Sequence, residues 1–139
     1  MKQVTHEIQI ATHGKGLYEF TSQIERWLSG QHPQTGLLTV FCRHTSASLL
    51  IQENADPEVR SDLDRFMARL VPDGDPLFAH DQEGPDDMPA HVRAALTAVS
   101  LSITFAAGRL VLGTWQGVYL YEHRRRGHDR EVVLHGVGE

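Results

Sequence analysis

Four short stretches of this 139-residue chain carry side chains able to do chemistry. The first is Arg43-His44-Thr45-Ser46-Ala47-Ser48, where one apolar, β-rich run ends and the next begins. An imidazole followed by small hydroxyl residues can surround a small anion, with Thr45, Ser46 and Ser48 as neutral donors. The plainer reading is a strand-edge turn whose hydroxyls bond their own backbone. Cys42 lies two positions before His44, so on a strand the two share a face. A nucleophilic Cys–His pair needs thiolate and imidazole in contact. Same-face neighbours on one strand rarely reach that geometry, so Cys42 reads as a small buried hydrophobe.

The second stretch is acidic. Pro72 to Pro89 holds six carboxylates (Asp73, Asp75, Asp81, Glu83, Asp86, Asp87), no Lys or Arg, and His80. Loops this long inside compact domains tend to be functional or disordered, and the Gly84-Pro85 and Met88-Pro89 steps argue for a held conformation. His91 follows in the first turn of a helix expected from Asp87 to about Thr97. His44, His80 and His91 would supply three imidazoles from three elements. Three His leave a fourth position open, as catalytic rather than structural zinc requires. The expectation is one divalent cation on those three residues: zinc in the purified protein, with magnesium suited to turnover because carboxylates are hard ligands. Glu83 and Asp87 are the candidate catalytic residues, as general base or as groups orienting the imidazoles. The plainer alternative is a solvated acidic loop with two ordinary surface histidines.

Gly113-Thr114-Trp115-Gln116-Gly117 is the third stretch. Its plain reading is a tight hairpin with Trp115 packed on the core; Thr114 and Gln116 beside glycine would also let a phosphate approach the backbone. The fourth is Glu122-His123-Arg124-Arg125-Arg126-Gly127-His128-Asp129-Arg130. Most of it reads as an exposed turn. Arg124, next to a strand end, is the guanidinium best placed to grip a phosphate.

These stretches need elements to position them. Val4, His6, Ile8 and Ile10 alternate as a half-buried strand, and Gly14-Lys15-Gly16 reads as a turn rather than a dinucleotide loop. Ser22 and Glu25 have capping-box spacing ahead of a helix with Ile24, Trp27 and Leu28 on one face, ending at Gly30. Strands are expected over Gly36 to Arg43 and Ser46 to Gln52. Asp56-Pro57-Glu58 is a strong helix start, and Val59, Leu63, Phe66, Met67 and Leu70 form its core-facing stripe. Further strands follow over Val99–Phe105, Arg109–Gly113, Val118–Glu122 and Val132–His135. The pattern predicts an α+β domain, single and compact, with β-sandwich-like mixed sheets and two to three helices.

Composition narrows the function classes. At 40% hydrophobic and 22% charged residues the chain is of ordinary globular type. Thirteen cations against eighteen acids give a formal charge of −5, a poor footing for nucleic-acid binding; no aromatic residue interleaves the arginine run. A single cysteine excludes an intrachain disulfide and any Cys-rich zinc site. The N-terminal segment lacks the apolar core of a signal peptide. The apolar stretch from Ala94 to Gly108 falls short of the ~18 residues of a spanning helix. No membrane association and a cytoplasmic location are the expectation.

Taken in order, HTSAS (His44–Ser48), NADPEVRSDL (Asn54–Leu63), HDQEGPDDMPAH (His80–His91), LGTWQG (Leu112–Gly117), EHR (Glu122–Arg124) and the closing Gly138-Glu139 resemble the YjbQ-like family, also called the secondary thiamine-phosphate synthase family. The resemblance runs essentially end to end. It implies a compact α+β trimer of β-sandwich character, and a histidine-lined cleft with metal or bound anions. The implied reaction joins a pyrimidine methyl diphosphate to a thiazole phosphate and releases pyrophosphate, which needs a cation and positive donors around the leaving group. Two positions depart from the family pattern: Thr104 stands where a proline is usual, and Gly127-His128-Asp129 where Gly-Gly-Ser often follows EHR. The expected function is a small metal-dependent enzyme acting on phosphorylated small molecules. The rival is a non-catalytic metal- or phosphometabolite-binding protein, and an RNA-associated protein using the arginine turn is a third class.

Overall fold

The computed structural model describes residues 2–139. Eight strands and three helices follow in the order β1 (Lys2–Ala11), β2 (Gly16–Glu19), α1 (Thr21–Gly30), β3 (Thr35–Cys42), β4 (Ala47–Glu53), α2 (Pro57–Leu70), α3 (Asp87–Leu96), β5 (Ser100–Ala106), β6 (Arg109–Leu110), β7 (Gln116–Glu122) and β8 (Asp129–Gly138). They form a five-stranded sheet, β1-β8-β3-β5-β6, and a three-stranded sheet, β2-β7-β4. Every ladder is antiparallel, so the sheets are not mixed as expected. The α+β class and the single compact domain stand.

Alternation along the strands builds the core. Ile8 and Ile10 of β1, Leu38 and Val40 of β3, and Val132 and Leu134 of β8 point inward from the large sheet. They meet Leu49, Val118 and Leu120 of the small sheet, and Phe20, Ile24 and Leu28 close the layer from the α1 side. Burying one such side chain stabilises the fold by roughly 1.5–3 kcal/mol. The opposite face of β7 carries Tyr119 and Tyr121, which α2 covers: the Arg60 guanidinium donates to the Tyr119 hydroxyl at 3.2 Å, and the Tyr121 hydroxyl donates to Asp64 at 2.9 Å. Gly36 and Gly138 lie opposite each other in the β3–β8 ladder. A Cβ on Gly36 would collide with the Val137 carbonyl and the Phe105 ring, so only glycine lets these strands pass under Phe105.

Helix starts divide into one expectation met and one not. Asp56 caps α2 as its spacing predicts, its carboxylate accepting from the Glu58 amide at 2.9 Å. No capping box forms at α1: its N-cap is Phe20, with no side-chain cap bond. Ser22 lies inside the helix, and Thr21 instead accepts from the Val118 amide at 2.8 Å, tying the helix start to β7. The α2 stripe is also less buried than its periodicity implies. No residue of α2 is fully buried, and Phe66 and Leu70 are more than half exposed. The helix lies on the outside of a sheet only three strands wide, which cannot cover its whole apolar arc. Among the described residues, no helix is long and apolar enough to cross a membrane.

The sandwich therefore has two ends. One gathers the β3–β4 turn, the acidic loop before α3 and the turn after β7. The other gathers the β6–β7 connection and the turn after β4. Seven-residue β7 runs between them, which sets the ends roughly 20 Å apart at about 3.4 Å per residue.

Candidate metal centre

Asp87 opens α3 and His91 follows four residues later, so both project from one face of the helix. The loop before α3 returns His80 and Glu83 to that face. One ligand atom from each of His80, Glu83, Asp87 and His91 lies within 4.8 Å of all the others. Asp87 Oδ2 is the hub, 2.8 Å from His80 Nε2 and 3.2 Å from His91 Nε2. Glu83 Oε2 reaches His80 Nε2 at 3.3 Å. His91 Nδ1–H donates to the Thr45 carbonyl at 2.9 Å. That bond fixes the ring and turns Nε2 toward the carboxylates, the outer-shell arrangement typical of metal-ligating imidazoles.

Three carboxylates this close need cations to hold the loop, and the basic turn provides them. Arg124 donates from Nε to Asp86 at 3.0 Å, from Nη1 to Asp87 Oδ1 at 2.7 Å, and from Nη2 to the Glu83 carbonyl at 2.9 Å. The Arg125 amide adds a bond to Asp86 at 2.9 Å. Asp73, at the loop's entry, pairs with Lys15, Arg93 and Arg125. Burial alone would raise the Asp87 pKa; the bond to His80 and the nearby positive charge of Arg124 outweigh it and hold the carboxylate below its ordinary value. Asp86 is lowered in the same way, burial being outweighed by the Arg125 amide and Arg124. His80 is raised, chiefly by its bond to Asp87.

His44, expected as the third imidazole, is not in this cluster. Its Nε2 accepts from the Glu131 amide at 2.7 Å, and Nδ1 faces the Arg130 guanidinium at 3.4 Å. Burial and the Arg130 charge lower its pKa. A metal-ligating histidine offers its second nitrogen to an acceptor, whereas both nitrogens of His44 meet N–H groups. The cluster that could hold an ion is two imidazoles and two carboxylates, rather than the three imidazoles expected.

The expected anion-binding residues also scatter. Ser48 is fully buried, its hydroxyl 2.8 Å from His123 Nε2 and 2.6 Å from Thr97 Oγ1. The Ser46 hydroxyl accepts from Arg130 at 3.0 Å. Thr45 is exposed and contributes its carbonyl to His91. Arg124 spends its guanidinium on the acidic loop. Thr114 and Gln116 sit at the opposite end of β7, where Gln116 Oε1 accepts from the Gly113 amide at 2.8 Å. Trp115, expected on the core, is 62% exposed. Cys42 is buried as expected, and burial pushes its thiol pKa up.

Sequence reasoning missed the buried polar layer beneath the site. Glu122, fully buried, accepts from Thr12 at 2.6 Å and from Arg130 Nε at 2.8 Å, and Arg130 reaches on to Ser46. Burial would raise the Glu122 pKa, but Arg130 and Thr12 outweigh it and lower it. His123 is buried beside this pair, its Nδ1 without a partner, and burial lowers its pKa to about 3. The available signal was Glu122 and Arg130 facing each other across a β7–β8 turn, each at a strand end.

The cluster opens on two hollows. On the His91 side lies a cleft of about 730 Å³, walled by Phe41, His44, Thr45, Ala95, Thr97 and Val99. On the His80 side a hollow of about 510 Å³ is lined by Pro76, Phe78, Pro85, Met88 and Pro89.

The family described as UPF0047 protein YjbQ-like matches residues 6–139. UPF0047 protein sll1880 of Synechocystis is 57% identical over 130 residues, covering 94% of this chain and 88% of that protein. UPF0047 protein YjbQ of Salmonella typhimurium is 44% identical over 133 residues, covering 95% and 96%. The crystal structure of protein TT1486 from Thermus thermophilus superposes with a TM-score of 0.83 at 37% identity, covering 93% of this chain and 97% of that one.

Proposed function

This chain belongs to the YjbQ-like UPF0047 family, and from that membership and the site geometry we propose that it is a small metal-dependent enzyme acting on phosphorylated small molecules. The reaction proposed is thiamine-phosphate synthesis, joining a pyrimidine methyl diphosphate to a thiazole phosphate with release of pyrophosphate. One observation carries the metal reading: four ligand atoms of His80, Glu83, Asp87 and His91 converge within 4.8 Å beside an open cleft. Two imidazoles with two carboxylates suit zinc as purified, and the carboxylates admit magnesium in turnover.

When bound, the cation supplies positive charge for a leaving pyrophosphate. The protein's own residues do the positioning. Asp87 Oδ2 lies between both imidazoles while Arg124 fixes Oδ1, so the hub cannot rotate. Glu83 is about two-thirds exposed, and with Oε2 turned to His80 its other oxygen, Oε1, would be the one to accept a proton. Thr45 and Thr97 line the cleft and supply neutral polar contacts for a phosphorylated ligand. A homotrimer is part of the proposal; Leu37, Phe41, Leu96 and Val99 leave apolar surface uncovered in one chain, which supports assembly.

Elemental analysis tests the metal reading directly. One divalent ion per chain is expected in the purified protein, retained in His44→Ala and lost in His80→Ala and His91→Ala. Unchanged metal in both of the latter variants overturns it. Turnover of the two thiamine precursors, abolished by a chelator and restored by metal, is expected. Metal binding without turnover would withdraw the reaction and leave a non-catalytic metal- or phosphometabolite-binding protein.

A further inference from the structure

β1 is the outer strand of the larger sheet and pairs only with β8. The neighbouring ladder fixes which of its backbone groups stay unpaired. Thr35 and Glu139 bond each other through both amides, at 3.1 and 2.9 Å, and the Arg43 amide donates to the Glu131 carbonyl at 3.2 Å. Odd-numbered residues of β8 therefore turn their backbone groups to β3, and even-numbered ones turn theirs to β1. The partners of those even-numbered residues are Val4, His6, Ile8 and Ile10. Thr12, next in the series, donates its amide to the His128 carbonyl at 2.8 Å. The amides and carbonyls of Gln3, Thr5, Glu7 and Gln9 point the other way, out of the sheet.

Proteins blunt such edges with short strands, bulges, prolines or a covering segment. The other three edges here follow that rule. β6 has two residues and β2 four, and β4 is bridged by Ala98, whose carbonyl accepts from the Leu49 amide at 2.6 Å. β1 runs for ten residues with no proline, in one-to-one register with β8 and without a bulge. It is the one long, regular edge left open.

Helix α1 walls this edge on one side. Gln23, Arg26 and Trp27 share a helical face, and with His6, Glu7 and Ile8 of β1 they line a groove of about 410 Å³. The Trp27 ring stacks on the His6 imidazole, centroids 5.5 Å apart and planes within 10°, so the aromatic wall is held in place. Glu7, the one acid of the lining, already meets Arg43 at 3.4 Å. Arg26 is exposed and has no ion pair among the described residues. A strand added to β1 would lie about 4.8 Å beyond it and turn every second side chain toward α1. There those side chains would meet an indole and an uncompensated guanidinium.

We infer that the β1–α1 groove takes an extended peptide segment of another protein as a ninth strand. The segment carries apolar residues and a carboxylate on the alternate positions that face α1. Main-chain bonds to Gln3, Thr5, Glu7 and Gln9 supply the affinity, and the α1 wall supplies the sequence preference, as in other strand additions at a sheet edge. The carboxylate meets Arg26, and the apolar residues beside it cover Trp27 and Ile8. The surface uses no residue of the proposed cation site, so its fate and that of the proposed function are independent.

The probe is the synthetic peptide acetyl-TVTETVT-amide, titrated into the full chain and followed by amide NMR. Its sequence reads the same in both directions, so valine and glutamate reach α1 whether it adds parallel or antiparallel. Saturable shifts confined to β1 and α1 are expected, with exchange at the Gln3, Thr5, Glu7 and Gln9 amides slowed about tenfold or more. Thr5→Pro deletes an outward amide, which an edge strand tolerates, and is expected to weaken binding about tenfold; Thr5→Val, which keeps the amide, should bind as the native chain does. Arg26→Glu lies on the exposed helix surface and tests the preference without touching the strand. It is expected to weaken the glutamate peptide about tenfold and to favour acetyl-TVTKTVT-amide instead. No binding at millimolar peptide, undiminished binding to Thr5→Pro, or an Arg26→Glu variant with unchanged preference overturns the inference. So does slow exchange at the four outward amides before peptide is added, which would mean that the edge is already covered.

Discussion

His123 makes the stability of this protein depend on pH between 6.5 and about 3. The ring is fully buried, contacts Ser48 through Nε2, and has no partner at Nδ1. Burial, reinforced by the Arg93 charge, lowers its pKa to about 3, against 6.5 for an ordinary histidine. Below pH 6.5 the unfolded chain binds a proton that the folded chain refuses, so stability falls as pH drops from 6.5 towards 3. The slope approaches about 1.4 kcal/mol per pH unit, so this one residue costs about 2 kcal/mol between about pH 7 and about pH 5. His123→Gln keeps a neutral polar group but cannot titrate. Urea denaturation of both proteins at equal concentration, at the two pH values, isolates the term, because His44 and His80 titrate in both. The variant is expected to lose about 2 kcal/mol less than the native chain over that interval. Equal losses, within about 0.5 kcal/mol, would show that His123 is hydrated in solution and refute the reasoning.

Two further outcomes follow from the same contacts. Arg124→Ala removes three bonds to the acidic loop, so amide exchange over residues 84–87 is expected to accelerate and metal affinity to fall by about 10–100-fold; Arg126→Ala, on the exposed part of the turn, should leave both unchanged. Asp56→Ala removes the α2 cap and is expected to cost about 1 kcal/mol in urea denaturation, with no effect on metal content.

Strand periodicity made most of the fold legible. The alternation of Val4 to Ile10 and the apolar run from Gly36 to Arg43 became β1 and β3 with ends shifted by one or two residues. β2 escaped because four residues after a glycine turn show no period, and it exists only because β7 offers an edge to pair with. α2 misled for a related reason: helical spacing reports which residues share a face, not how wide a surface will cover it. The site divides in the same way. Asp87 and His91 were legible as neighbours because four residues is one helical turn, and the glycine and proline steps correctly marked a held loop. His44 was not legible, since its sequence position beside Thr45 says nothing of the Arg130 guanidinium that β8 brings against its ring. Thr114 and Gln116 lie apart from Arg124 within one chain for a simpler reason. They stand at opposite ends of one strand and its following turn, and a strand keeps its ends apart.

The arginine turn and the acidic loop are best understood together, by charge. Around the cluster, the Asp86 and Asp87 carboxylates bond the guanidinium of Arg124, which also takes the Glu83 carbonyl, while the Glu83 carboxylate faces His80. Three carboxylates against one guanidinium leave two negative charges in a partly buried place, where repulsion is screened less than at the surface. His80 answers part of that excess by holding its proton more tightly than an ordinary histidine. A divalent cation would answer all of it while releasing that proton, so protons and metal compete for the same two charges. In the proposed cation site, Arg124 would then set the excess at two, the charge a divalent ion carries. Without it the excess would be three and the loop would splay; with a second guanidinium at Asp87, too little negative charge would remain to hold a divalent ion. The guanidinium expected to grip a phosphate is engaged in this structure by the acidic loop, where it organises the carboxylates through three bonds.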